Sequence, residues 1–142
     1  MTDLYAPVDA EDLAVDYLKN VGAITDLVTT DGISTRLPRD WEAGDRHVRL
    51  TRIGGLPTDA IGYLDRARIQ VDAFGTDEGD AHALAGEVLV ALRRLPAAAY
   101  SYAGAVVTAV DQDLGMANVP DPDTDAARYL FGVVLYVHPT GS

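Results

Sequence analysis

Ala67-Arg68-Ile69-Gln70-Val71-Asp72-Ala73 is the cleanest two-residue alternation in the chain. Ala67, Ile69, Val71 and Ala73 fall on one face of a strand, and Arg68, Gln70 and Asp72 on the other. Such a strand has one buried and one polar face. Val48 to Ile53 reads as a second strand, ended by Gly54-Gly55. The two pair most simply as a hairpin. Their connection, residues 56–65 with Pro57, Asp59 and Gly62, exceeds the usual hairpin loop of about two to five residues, so it has room for a role of its own.

Helical spacing flanks the hairpin. Asp9 is an N-cap candidate with Glu11 and Asp12 in the first turn, where carboxylates favour the helix dipole. Ala10, Leu13, Ala14, Tyr17, Leu18 and Val21 form its apolar stripe, Lys19 closes its last turn, and Gly22 suits the residue just past its end. After the hairpin, Thr76 is an N-cap candidate, and Ala81, Leu84, Ala85, Val88, Leu89, Leu92 and Leu95 form a long stripe stopped by Pro96. Residues 23–46 give weaker signals: a short strand or turn near 25–29 and another near 33–37, with Gly32, Pro38 and Gly44 as breakers. Trp41, the only tryptophan, reads either as a plug over one end of the core or as an anchor at a subunit interface.

Two more strands follow. Ala105 to Val110 is one, and an acidic connection spans 111–127. Arg128 to Val137 is the other, with Tyr129, Phe131, Val133, Leu135 and Val137 on one face and Leu130, Val134 and Tyr136 on the opposite one. A strand apolar on both faces is covered on both, and with two good helices available, one cover is expected from another subunit. The order α–β–β–α–β–β gives a single α+β domain over 1–142, two helices packed on a mainly antiparallel sheet.

Composition sets the outer limits. The 142 residues include 48% apolar and 23% charged, the balance of a folded chain. Asp and Glu number 22 against 11 for Lys and Arg, a net charge of −11. That argues against a nucleic-acid reader and against docking on anionic lipid. No Cys is present, which excludes disulfides, thiolate metal sites and thiol catalysis. The first residues lack the basic and apolar regions of a signal peptide, and no apolar run nears the ~20 residues of a membrane span. A reducing cytoplasm is the expected folding compartment.

Catalytic and metal motifs are thin. Asp121, Asp123 and Asp125 match the first three ligand positions of a calcium loop, but Ala126 replaces its glycine and Gly132 its closing acid; a solvated acidic turn is the simpler reading. His47, His82 and His138 lack metal-binding spacing. Gly-x-Gly-x-x-Gly, Walker A and Gly-x-Ser-x-Gly are all absent. Asp111 and Asp113 could pair for acid–base work, yet read more simply as a solubilising rim. The expectation is no enzyme, no cofactor and no metal, with a small enzyme or ligand-binding module as the remote alternative. Arg49, Arg52, Arg66 and Arg68 lie on or beside the hairpin, with Arg49 and Arg68 sharing its polar face. They read either as local ion pairs of small worth or as a positive patch meeting an acidic neighbour head to tail.

Leu37-Pro38, Val48-Arg49-Leu50-Thr51-Arg52-Ile53-Gly54-Gly55, Asp65 through Gly75, the helix of 77–95 and Arg128-Tyr129-Leu130-Phe131-Gly132-Val133 together resemble the tail terminator, or tail completion, proteins of long-tailed bacteriophages, especially those of actinobacterial hosts. The resemblance runs over roughly residues 8 to 138. It implies a hexameric ring in the virion neck, assembled in the bacterial cytoplasm. The ring would cap the tail tube, stop its polymerisation and join it to the head connector, with tail-tube and neck proteins as partners and DNA passing through unbound. Other neck components, head-closure or adaptor proteins, share the size and element order. On this reading Arg49, Arg52, Arg66, Arg68 and Trp41 are the expected interface residues. Asp111, Asp113, Asp121, Asp123 and Asp125 are expected to face the lumen or a partner ring.

Overall fold

The computed structural model describes residues 8–56 and 64–140. Helix α1 (Ala10–Lys19) starts where Asp9 caps it, its carboxylate accepting from the Glu11 and Asp12 amides. The helix closes at Asn20, so Gly22 does not end it but begins α2 (Gly22–Thr25), a single turn. A 3₁₀ turn (Thr30–Gly32) leads into β1 (Ile33–Ser34). Residues 26–29 therefore form the expected turn, and the strand expected near 33–37 is two residues long. Then come β2 (His47–Leu56), β3 (Asp65–Phe74), α3 (Glu78–Arg93), a second 3₁₀ turn (Leu95–Ala97), β4 (Ala105–Asn118) and β5 (Arg128–Pro139). The cap of α3 is Asp77, one residue later than Thr76. Asp77 accepts from the Asp80 amide and Asp80 reaches back to the Thr76 amide.

The five strands form one sheet in the order β1-β2-β3-β5-β4, antiparallel except for the β1–β2 edge. The hairpin forms as its alternation dictates, with Arg49 opposite Asp72 and Leu50 opposite Val71. The fold is α+β, as the element order implies. The helices pack on one face, where Leu13, Leu18, Leu84, Val88 and Leu92 meet Val48, Leu50, Ile69, Val71, Phe131, Val133 and Leu135, all nearly or fully buried. The Tyr17 hydroxyl donates to the Ala91 carbonyl at 2.8 Å and ties α1 to α3 inside this layer.

Two strand ends differ from the sequence reading. β2 does not stop at Gly54-Gly55 but passes through them in a bulge, with φ of +116° and +128°. A Cβ on Gly55 would stand 2.0 Å from the Arg66 carbonyl oxygen, whereas one on Gly54 meets nothing within 4 Å. Gly55→Ala is therefore expected to cost about 2–3 kcal/mol. Gly54→Ala, paying only for its backbone angle, should cost about 1 kcal/mol; urea denaturation of both reads the difference. β4 is the second case. It runs to Asn118, so Asp111 and Asp113 sit on a bulged strand and the acidic connection shrinks to 119–127. The expected loop after β2 lies mostly outside the described residues.

Candidate functional site

Directly opposed residues on antiparallel strands share a face, so the register lays out the sheet surface turned away from the helices. It carries Arg49 and Thr51 from β2, Arg66, Arg68, Gln70 and Asp72 from β3, Arg128, Leu130, Val134 and Tyr136 from β5, and Asp111 from β4. Arg49 and Arg68 do share it. Arg52 does not. Opposite Ile69, it lies on the helix side, where its guanidinium forks onto both oxygens of buried Asp65 at 2.7 Å. This pairing raises the Arg52 pKa further above its ordinary value. The Arg52 amide donates to Glu11 of α1 at 2.6 Å, which closes part of the free β2 edge.

One end of this face is covered by the chain itself. Phe74 is fully buried under Trp41, whose ring meets it edge-on at 5.1 Å, and under Arg49, whose guanidinium lies 5.3 Å from the Phe74 centroid. Trp41 thus covers Phe74 on the sheet face turned away from the helices, not an end of the core beneath them. Its indole N–H donates to the Asp45 carbonyl at 3.2 Å. Beside it, Asp72 is 1% exposed and is held by Arg49 at 3.0 Å and Arg128 at 3.5 Å. Arg128 also donates to the Val119 carbonyl, docking the 119–127 connection onto the sheet. Neither Asp72 nor Arg128 was singled out from sequence, although Arg49 and Asp72 fall opposite each other once the hairpin register is set.

Among the described residues, no second layer covers the rest of the face. Arg68 reaches over β5 to Asp113 at 2.7 Å. The crossing passes over Gly132, where a Cβ would lie 2.6 Å from an Asp113 oxygen. The Tyr136 hydroxyl donates to Asp111 at 3.0 Å, and that carboxylate raises the phenol pKa. Leu130 and Val134 are half-buried between these pairs, and Leu114 is 43% exposed.

The expected acidic group does not act as one cluster. Asp111 and Asp113 are on β4 with partners of their own. Asp121 is buried, folding its carboxylate onto the Thr124 amide and hydroxyl at 3.0 and 2.8 Å. Burial pushes its pKa up, but these hydrogen bonds win and leave it lowered. Asp123 and Asp125 are exposed. Among the described residues no group of three or more His, Asp or Glu side chains is placed to hold a metal ion, and no helix is long and apolar enough to cross a membrane.

His47 is buried, with Nε2 2.8 Å from the Ser34 hydroxyl. Ser34 spends its own proton on the Arg36 carbonyl, so His47 Nε2–H is the donor. Burial, and then the charge of Arg49, lower the His47 pKa. The unfolded chain then binds the extra proton first as pH falls below about 6.5. Stability is expected to be full above that value and to decline as pH falls below it. Urea midpoints above and below that value, with His47→Asn removing the decline, test it.

No protein-family model and no curated protein shows a match. In fold, the chain is similar to a chain from a solved structure described as the virion of a native gene transfer agent particle. The TM-score is 0.66 at 16% sequence identity, over 91% of this chain and 94% of that one. At that identity the likeness is one of fold.

Proposed function

We propose that this chain is a structural virion protein of a phage-like particle that acts by assembly, as a tail terminator. A ring of copies caps the tail tube, ends its polymerisation and joins the tail to the head connector. The observation that carries the reading is the fold likeness to a virion chain over nearly the full length of both, beside the sequence resemblance to tail terminators. Two physical features support it. The sheet presents a partly uncovered face whose Leu130, Val134 and Leu114 suit a neighbour. The net charge of −11 suits a passage that repels phosphates, so DNA crosses it without sticking.

In this reading Arg49, Arg52 and Arg68 meet a neighbour as ion pairs already made within the chain, and Asp123 and Asp125 are the freest acids for a lumen or partner ring. Native mass spectrometry tests the assembly: the expected species is six times the 15.1 kDa chain mass, formed alone or on tail tubes. A chain that binds the head connector but leaves tube growth unchanged belongs at another neck station, as a head-closure or adaptor protein. A chain monomeric under all these conditions contradicts the ring.

A further inference from the structure

We propose that neighbouring copies join head to tail, the C-terminal end of α3 on one copy seating in the Trp41 groove of the next. This rests on the ring reading and names the contact that builds it. Among the described residues, Arg49, Arg52, Arg68, Arg46 and Arg128 are all ion-paired within the chain. Arg93 and Arg94 are exposed and in none of these pairs; Arg93 donates to the neutral Gln112 amide at 2.8 Å. Val90, one turn back on the same side of the helix, is 43% exposed. A cationic pair beside a bare valine is an unusual patch on so acidic a chain.

Its complement lies at the other end of α3. Val28, Pro38 and Trp41 line a groove of about 450 Å³, with Asp31, Asp40 and Asp45 at its rim. None of the three aspartates is ion-paired among the described residues. Arg46, also at the rim, is neutralised by Asp80 at 2.9 Å, so the groove lining itself carries three aspartates with no free cation among them, and Arg36 and Arg39 of the adjoining segment are fewer than those acids. An arginine entering such a groove can stack on the indole and fork onto a carboxylate, while Val90 covers the apolar floor. The 16 residues of α3 set the two patches about 24 Å apart. They cannot meet within one copy, so their contact is heterologous and closes into a ring if the rotation permits.

The test is a charge swap read by native mass spectrometry and sedimentation, with circular dichroism confirming the fold. Arg93→Glu/Arg94→Glu and, separately, Asp40→Arg/Asp45→Arg should each weaken assembly by about thirtyfold or more. Both pairs combined in one chain should recover most of it. Because the chain lacks cysteine, a second readout is available that keeps the charges. Thr29→Cys/Ala97→Cys should oxidise to a ladder of covalent oligomers, while each single variant stops at dimers; the two sites are too far apart to bridge within a copy. A wild-type ring with charge variants that assemble normally, or with no ladder, overturns this contact and leaves the ring reading standing. A wild-type chain that never assembles overturns both.

Discussion

Asp72→Ala should lower the unfolding free energy by about 3–5 kcal/mol, because it strands a buried cation. The Asp72 carboxylate is 1% exposed and accepts from Arg49, Gln70 and Arg128. Without it, Arg128 keeps the Val119 carbonyl but has no counter-charge, and its side chain is only 10% exposed. Taking both away should hurt less: Asp72→Ala/Arg128→Met replaces a buried pair with apolar volume, a change that is often near neutral. The contrast is Asp113→Ala, which breaks a pair whose arginine is 48% exposed and should cost below about 1 kcal/mol. Urea denaturation with an unchanged slope reads all three. A loss for Asp72→Ala no larger than for Asp113→Ala would contradict the buried-pair account.

The second large effect belongs to Phe131→Ala, at about 3–5 kcal/mol. Phe131 is fully buried on β5, opposite Val71 on β3 and under the helix layer. Truncation opens a cavity between two layers that cannot close over it, and the loss is a large share of a typical domain's 5–15 kcal/mol. Phe131→Leu, which keeps most of the volume, should cost below about 1.5 kcal/mol. On the opposite face of the same strand, half-buried Val134 should lose well under the Phe131 value when cut to Ala. The same Val134→Ala change should weaken assembly if a neighbour covers that face.

These two residues also mark what could be read from the chain alone. Phe131 was visible, because the alternation of β5 and the short polar period of β3 name their core faces directly. Asp9 was equally plain, since an acid before an apolar helical stripe has one common use. The two misread strand ends have a shared cause in bulges. Gly54-Gly55 looked like a stop, yet positive φ there lets the strand bend and continue. Gln112, Asp113, Gly115 and Asn118 looked like loop, because shifts of register within β4 break the two-residue period. The arginines needed the third dimension. Whether Arg68 meets Asp113 depends on a reach over Gly132 from β3 to β4, which no spacing in the sequence encodes. The Ser34–His47 link and the Trp41–Phe74 contact join segments whose signals were weak, so neither pairing was legible.

The functional account joins a fold to a charge pattern. In the proposed ring the helix layer would enclose the core of each copy, the opposite sheet face and the two ends of α3 would meet neighbours, and the acidity would keep the passage clear of bound DNA. The measurement that bears most directly on it is electron microscopy of the particle's tail-tube protein polymerised with and without this chain. The account predicts tubes of limited length bearing a ring at one end when the chain is present, and unchecked growth without it. Tubes of the same length in both samples, with bare ends, would contradict it.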